Sequence, residues 1–403
     1  MLKKHYLVDG IIVIIIILFL QFFSYTKLPD IKLLLILSLL GLMGFAFTIY
    51  GFLTQKFKTK HPLDKVVFAF VCCFILSAFT ANIYWNQSFV SSLKSCSNFY
   101  VYFLYFVFII LEVQEDRIER ILKVLFFLSL FIFLIDYKTF PDPLFSYRSE
   151  ERRNGITIFF YGQGFTFLGG FYFLNKFFEE KKIINLGWFL AACLCLFMLT
   201  QARMNLLALA LGFFLLLIFS DFTLRYLLTF ALIIGGFVFY STSSVFTGIK
   251  DETKAQAQFY KEDVRVQAHA YFINELQGGV PTQIFGNGLP GLDSDLELQA
   301  KRGKDKGFWT ADVGLTGIFS YFGIVGVFVW LLFFYNAFKT KNTTNTMYLK
   351  AYFLTILTTA FAGYSIFEPG YMPATVLALY LIRCSTLSNY NDEEENLEGL
   401  NPN

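Results

Sequence analysis

Apolar residues come along this chain in long unbroken runs, without the strict alternation of a half-buried strand. The runs lie near 7–24, 32–53, 66–82, 96–113, 121–136, 156–178, 183–200, 203–219, 223–240, 312–336, 348–367 and 371–385. About 20 helical residues cross the hydrocarbon of a bilayer. Continuous runs of that length predict helices, because a membrane barrel needs short alternating strands. The expected fold is therefore an all-α polytopic membrane protein of about 12 transmembrane helices. Nine spans fall in 1–240, one large extracytoplasmic loop containing a helix occupies 241–311, three spans fall in 312–386, and an acidic cytoplasmic tail fills 387–403. The first run follows only Met1–Tyr6 and has no small-residue cleavage site, so it reads as a retained span.

Composition agrees with this pattern. Of 403 residues, 56% are apolar and only 16% charged, which excludes a soluble globular surface. Lysine and arginine set the orientation. Lys3, Lys4, Lys56, Lys58, Lys60, Lys65, Arg117, Arg120, Lys123, Lys176, Lys181, Lys182, Lys339, Lys341 and Lys350 all fall on one side of a twelve-span arrangement, which makes that side the cytoplasm and places both termini inside. The net charge of +3 is a product of this topology and includes no basic run of the kind that binds nucleic acid. The six cysteines lie in or at the ends of spans, and only His5, His61 and His269 are present, so neither a disulfide framework nor a metal or cofactor site is indicated.

Positive charges that break the orientation pattern carry the candidate chemistry. Arg148, Arg152 and Arg153 lie in the outer loop before the sixth span, Arg203 sits in the turn Thr200–Arg203, and Arg265 lies in the long loop. An arginine held near the hydrocarbon costs on the order of 3 kcal/mol, less when it snorkels. One reading of Arg203 is an interfacial anchor. The other is an anion partner, since guanidinium binds phosphate oxygens bidentately and keeps its charge in a partly dry site. The chain has no glycine loop of the nucleotide-binding type, so the anion implied is a lipid-linked diphosphate.

The loop itself predicts a helix over 250–277 with Arg265 and His269 four residues apart on one face, closed by Gly278-Gly279. A weak Gly286-Asn287-Gly288 turn signal and a charged, flexible stretch at 293–306 follow. Asp312 then opens the tenth span, either as a favourable charge at a helix N-terminus or as a catalytic carboxylate. Gly314, Gly317, Gly323 and Gly326 follow at spacings that allow close helix contact.

Three stretches together carry a resemblance: RRNGITIFFYGQGFTFLGG (152–170), TQARMNLLALALG (200–212), and the ensemble VRVQAHAYF, IFGNGL and FWTADVGLTGIFSYFGIVG. The chain resembles the O-antigen ligase and O-antigen polymerase family over roughly residues 150–335. Ligases of that family carry a histidine where the loop returns to the membrane, whereas Trp309–Asp312 stand here and His269 lies earlier in the chain, so the pattern is similar to the polymerases. In the arginine turn Met204 replaces the family's small residue. The resemblance implies a glycosyltransferase of the bacterial cytoplasmic (inner) membrane. It would polymerise polyprenyl-diphosphate-linked oligosaccharide repeat units into O-antigen, capsule or exopolysaccharide, alongside the flippase and chain-length regulator of the same pathway. Arg203 and Arg265, helped by Arg152 or Arg153, would hold the diphosphate, and Asp312, His269 or Glu275 would act as the base. The alternatives are a ligase-type transferase to lipid A core or protein, a lipid-linked sugar flippase, and a structural subunit of an envelope assembly. Neither internal repeats nor mid-membrane charges favour the flippase.

Overall fold

The computed structural model describes residues 2–20, 30–54, 61–139, 145, 152–153, 156–157, 162–200, 203–220, 263–292, 294–341, 343–361, 363 and 368–399. The helices of the first half are α1 (Leu2–Phe19), α2 (Asp30–Leu53), α3 (Pro62–Trp85), α4 (Phe89–Ser95), α5 (Phe103–Ile110), α6 (Glu115–Thr139), α7 (Gln163–Glu180), α8 (Ile183–Thr200) and α9 (Arg203–Phe219). The loop contributes α10 (Val264–Ala270), α11 (Val280–Phe285) and α12 (Asp295–Asp305). The last three are α13 (Leu315–Lys339), α14 (Thr344–Thr359) and α15 (Met372–Gly399). A two-residue antiparallel ladder pairs β1 (Arg152–Arg153) with β2 (Ile156–Thr157).

Each predicted run except 223–240, which lies outside the described residues, overlaps a helix. By length and composition α3 and α13 are long and apolar enough to cross a membrane, and the pair Phe89–Ser95 and Ser97–Ile110, bent by 64°, makes a third candidate if taken as one span. Shorter apolar helical segments are Tyr6–Phe19, Ile36–Gly51, Ile183–Phe197, Met204–Phe219 and Met372–Leu387.

Several boundaries differ from the sequence expectation. Residues 156–157 are strand, and α7 starts only at Gln163. The expected loop helix is helical from Val264, continues through a π turn at Tyr271–Glu275, and its first part lies outside the described residues. The stretch expected to be flexible is α12. Ser294 caps it by accepting the Glu297 N–H at 3.0 Å, with acids in its first turn and Arg302 and Lys304 in its last, so cap and dipole both favour helix. Residues 392–395 of the acidic tail continue α15.

Packing explains the heavy use of phenylalanine. Phe70 of α3 meets Phe74, Tyr102 and Phe333 edge-on, with ring centroids 4.7, 4.9 and 5.3 Å apart, and Phe322 closes the same cluster. These rings join α3, the 3₁₀ turn Ser97–Tyr102 and α13 into one interior in the edge-to-face geometry aromatic pairs prefer. On the other face of α13, Ile324, Phe328, Leu331 and Tyr335 are exposed at three- and four-residue spacing. A stripe of large apolar side chains without protein cover is what a lipid-facing surface requires.

One end of the bundle is tied by charge. The Arg117 guanidinium meets Asp9 at 2.6 Å, joining α6 to α1. Asp64 accepts from Arg383 Nε at 3.0 Å and from Tyr105 Oη at 2.7 Å, joining α3, α15 and α5. Asp64 is almost fully buried, so removing it strands the guanidinium and the phenol in a poorly solvated place. Breaking a buried pair from one side costs about 3–5 kcal/mol. Asp64→Leu is therefore expected to lower the melting temperature of the detergent-purified protein sharply, whereas loss of the exposed Arg120–Asp116 pair is expected to change it little.

Candidate functional site

At the opposite end, the loop between α9 and α13 is fastened to a break in a helix. Inside α13 Gly323 adopts φ 65°, ψ −169°, which interrupts the helical hydrogen-bond ladder. Interrupted backbone within an apolar helix persists only where neighbours satisfy its polar groups. Here the turn Gly286-Asn287-Gly288 does so. The N–H groups of Asn287 and Gly288 donate to the carbonyls of Ser320 and Tyr321 at 2.9 and 3.0 Å. The Asn287 amide donates to Ser320 and Leu276 carbonyls at 3.0 and 2.8 Å and accepts from Trp85 Nε1 at 3.0 Å. Gly286 has φ +88°, and its carbonyl accepts from Thr80 of α3. Of the glycines expected to allow close helix contact, Gly323 lies against the Ile284 carbonyl of α11 and Gly314 against the Ala360 carbonyl at the end of α14, while Gly317 lies against Thr310 of the preceding turn.

On this footing the chain returns to the bundle. Residues Thr310–Val313 form a 3₁₀ turn, and Gly314 at φ +50° reverses direction before α13. Asp312 stands exposed on the turn, its own N–H donating to the Trp309 carbonyl at 3.0 Å. Helix α10 packs against the turn, and His269 Nδ1 lies 2.7 Å from Thr316 Oγ1, one helical turn past Asp312. Partial burial lowers the His269 pKa below the usual histidine value, which favours the neutral imidazole that a base requires. His269 precedes the return point by some forty residues in sequence. The fold nevertheless brings it there, although the sequence reading, which kept it as a candidate base, placed it too early for the return point.

A further carboxylate lies beside Asp312. Glu368 is half-buried in the connection between α14 and α15; loss of hydration, with the negative charge of Asp312 added, pushes its pKa up to about 7. Its carbonyl accepts the N–H groups of Tyr371 and Met372 at 2.9 and 3.0 Å as α15 begins. Two residues on, the Gly370 carbonyl accepts the Gly164 N–H at 3.0 Å, while Tyr371 Oη donates to Gln163 Oε1 at 2.8 Å. The segment carrying Glu368 is therefore held between the start of α7 and the Asp312 turn. Sequence reasoning missed Glu368. The signal was a single carboxylate before Pro369-Gly370 in a connection otherwise empty of charge.

The other nominated residues are placed less closely. Arg265 is exposed on α10, its N–H donating to Asp263 at 2.8 Å, on the same helix as His269. Glu275 is exposed on the π turn near Tyr271, and its charge contributes to raising that phenol's pKa after burial. Arg203 is the first residue of α9, and Arg152 and Arg153 form β1; their side chains lie outside the described residues, as does Arg148. Cations that the sequence reading left in a flexible stretch stand at the rim instead. Lys304 lies over the Trp309 ring at 5.4 Å and Lys306 over Tyr271 at 5.8 Å. Among the described residues no group of three or more His, Cys, Asp or Glu gathers as a metal site.

The assembled end of the bundle thus offers paired carboxylates, a neutral imidazole and a rim of cations. A raised pKa on Glu368 sets a pH dependence with a definite sign. Because the folded state holds the Glu368 proton more tightly than the unfolded chain, its contribution to stability is full below about 4.5 and declines as pH rises to about 7. Any step that uses Glu368 as a base should show the opposite trend, with the rate rising through pH 7. Glu368→Gln is expected to flatten both profiles, measured by thermal melting and by product formation across pH 5–9.

Compared with known proteins, the chain matches no family model and no curated protein sequence.

Proposed function

We propose that this chain is a membrane glycosyltransferase that lengthens a glycan by joining polyprenyl-diphosphate-linked oligosaccharide units on the extracytoplasmic face of a bacterial inner membrane. In this reading about twelve helices span the bilayer, both termini are cytoplasmic and the loop 241–311 faces outward. The observation that supports it most is the bundle end away from the buried ion pairs, where Glu368 lies beside Asp312, His269 packs against Thr316 just past the Asp312 turn, and Lys304 lies over Trp309 just before it. That arrangement suits the chemistry. Cations neutralise the departing diphosphate, and a carboxylate or imidazole takes the acceptor hydroxyl proton. As that proton leaves, the acceptor oxygen bonds to the donor's anomeric carbon and the bond from that carbon to the diphosphate breaks, releasing the polyprenyl diphosphate. The activated donor supplies the energy, so the step calls for no nucleotide.

A second reading, transfer of finished glycan to lipid A core or protein, draws support from His269. It stands against Thr316 where the loop rejoins the membrane, the place at which ligases of the resembled family carry histidine. Surface glycan from cells lacking the gene separates the two. Single repeat units capping the acceptor, with long chains lost, are the expected result; accumulation of full-length polymer still on its carrier would favour the ligase. An unchanged glycan profile would contradict both.

A further inference from the structure

One stretch of the loop carries no charge. From Leu276 to Leu292 there is no Asp, Glu, Lys or Arg, whereas Asp263, Arg265 and Glu275 precede it and Asp293, Asp295 and Glu297 follow. Its chain runs in between α3 and α13 and out again. Gly278 lies against Tyr84, the Gly286 carbonyl accepts from Thr80, and Gly288 lies against the Ser77 carbonyl, each step farther from Trp85, where α3 ends. On the other side Asn287 and Gly288 bond Ser320 and Tyr321, and Ile284 lies against Gly323. The chain then leaves, its Leu289 and Pro290 carbonyls accepting from Gln87 Nε2 at 2.8 Å and from Ser95 Oγ at 2.9 Å. Depth follows from helix geometry. Thr80 and Ser77 lie five and eight residues inside the end of α3, and Gly323 eight residues inside the start of α13, which at about 1.5 Å per residue is about 8–12 Å. The two helices, of 24 and 25 residues, are each about 36–38 Å long, about 6–8 Å more than the hydrocarbon they would cross. Even with all of that excess on the loop side, the turn Gly286–Gly288 sits at or beneath the edge of the hydrocarbon.

We propose that Val280–Gly288 is a re-entrant element of the loop-side leaflet, with Val280 and Ile284 in contact with the acyl chains of the membrane lipid. The burial pattern of the segment fits that place. Gly286, Asn287 and Gly288 are buried, and non-helical backbone at membrane depth persists only under protein cover. The bare side of α11 is apolar, with Val280 66% exposed and Ile284 exposed as well. Gln283 is exposed beside them, which a shallow depth tolerates and a mid-membrane position would not. At the same level Phe79 and Ile83 are exposed on α3, and Ile324 and Phe328 on α13. Lipid is the occupant this surface fits, since it continues the bare apolar faces of the two helices that hold it and carries no charge. The inference rests on α3 and α13 crossing the bilayer, the membrane part of the function proposed above, and not on sugar transfer.

The test is spin-label power saturation on the full chain in phospholipid vesicles, with single labels on Val280→Cys and Ile284→Cys in a background free of other cysteines. Phe328→Cys on the bare face of α13 gives the lipid reference, and Lys301→Cys, exposed on α12, the water reference. Labels at 280 and 284 are expected to collide readily with oxygen and at least about threefold less than the 301 label with a water-soluble nickel chelate, which apolar surroundings exclude. Nickel collision at 280 and 284 equal to that at 301 would overturn the proposal, as would low collision with both reagents, the sign of a second protein covering α11. A label at 328 that behaves like 301 would overturn it too, by showing that α13 does not span. If the cysteine-free background does not fold, a photoreactive diazirine side chain at 284 of the native chain carries the test, with phospholipid adducts expected at 284 and 328 but not at 301, and their absence at 284 contradicting the proposal. Failure of the transferase reading is visible separately, in an unchanged surface glycan of the deletion strain.

Discussion

Replacing Gly323 with alanine is expected to unfold or severely destabilise this protein, although the same change in the middle of an ordinary helix stabilises by about 0.5–1 kcal/mol. The sign is the test. In a straight span, alanine removes backbone freedom from the unfolded chain and adds favourable helix propensity. Here a Cβ on Gly323 would sit 2.3 Å from the Ile284 carbonyl oxygen, and φ 65° with extended ψ is a conformation that side chains rarely adopt. Neither the Ile284 carbonyl nor the nearby Gly286 N can yield, because both are backbone. Gly286→Ala is expected to fail alike, with its Cβ 2.1 Å from the Tyr321 oxygen. Asn287→Ala is the milder probe. It removes three side-chain hydrogen bonds and leaves the Leu276 carbonyl and the Trp85 indole N–H short of a partner, at about 1–3 kcal/mol for each orphaned group. Fluorescence-detected size exclusion with thermal challenge reads all three, and a stabilised Gly323→Ala protein would show that the loop is not locked into α13.

The second large effect concerns activity. Asp312→Asn and Glu368→Gln are each expected to shorten the polymer made in cells, and the member of the pair that serves as base should lose about 10²–10⁴-fold in rate. Because the Asp312 charge raises the cost of ionising Glu368, the two sites are coupled and the double variant should lose less than the product of the two single losses. Arg203→Lys keeps the charge but removes the fork that grips two phosphate oxygens, so it too should lose most activity. Membrane abundance of each variant, measured by immunoblot, separates lost chemistry from lost protein. Full chain length in all three variants would contradict the site as assigned.

Much of the helical framework was legible in the sequence, because apolar runs of span length leave the backbone few alternatives to helix. What escaped the sequence was everything produced by long-range return of the chain. The Gly286–Gly288 turn reads as a weak local signal, and its meaning depends on partners at Ser320 and Tyr321 more than thirty residues later. Helix α12 was misread as flexible since its charges outweighed its cap, although Ser294 followed three residues later by Glu297 is a recognisable start signal. Glu368 could not be ranked above other carboxylates. Its environment is made by α7, the Asp312 turn and the start of α15, which lie together only after folding. His269 was set too far from the return point for the same reason.

The claim on which the functional reading depends most is that the Asp312 end of the bundle faces outward. Single cysteines placed at 203, 269 and 312 in a background whose six native cysteines are replaced by serine or alanine test it directly. A membrane-impermeant maleimide added to intact spheroplasts is expected to label all three, and a cysteine at 341 only after the membrane is opened. Labelling at 341 in intact spheroplasts, with 203, 269 and 312 protected until lysis, would contradict an extracytoplasmic site.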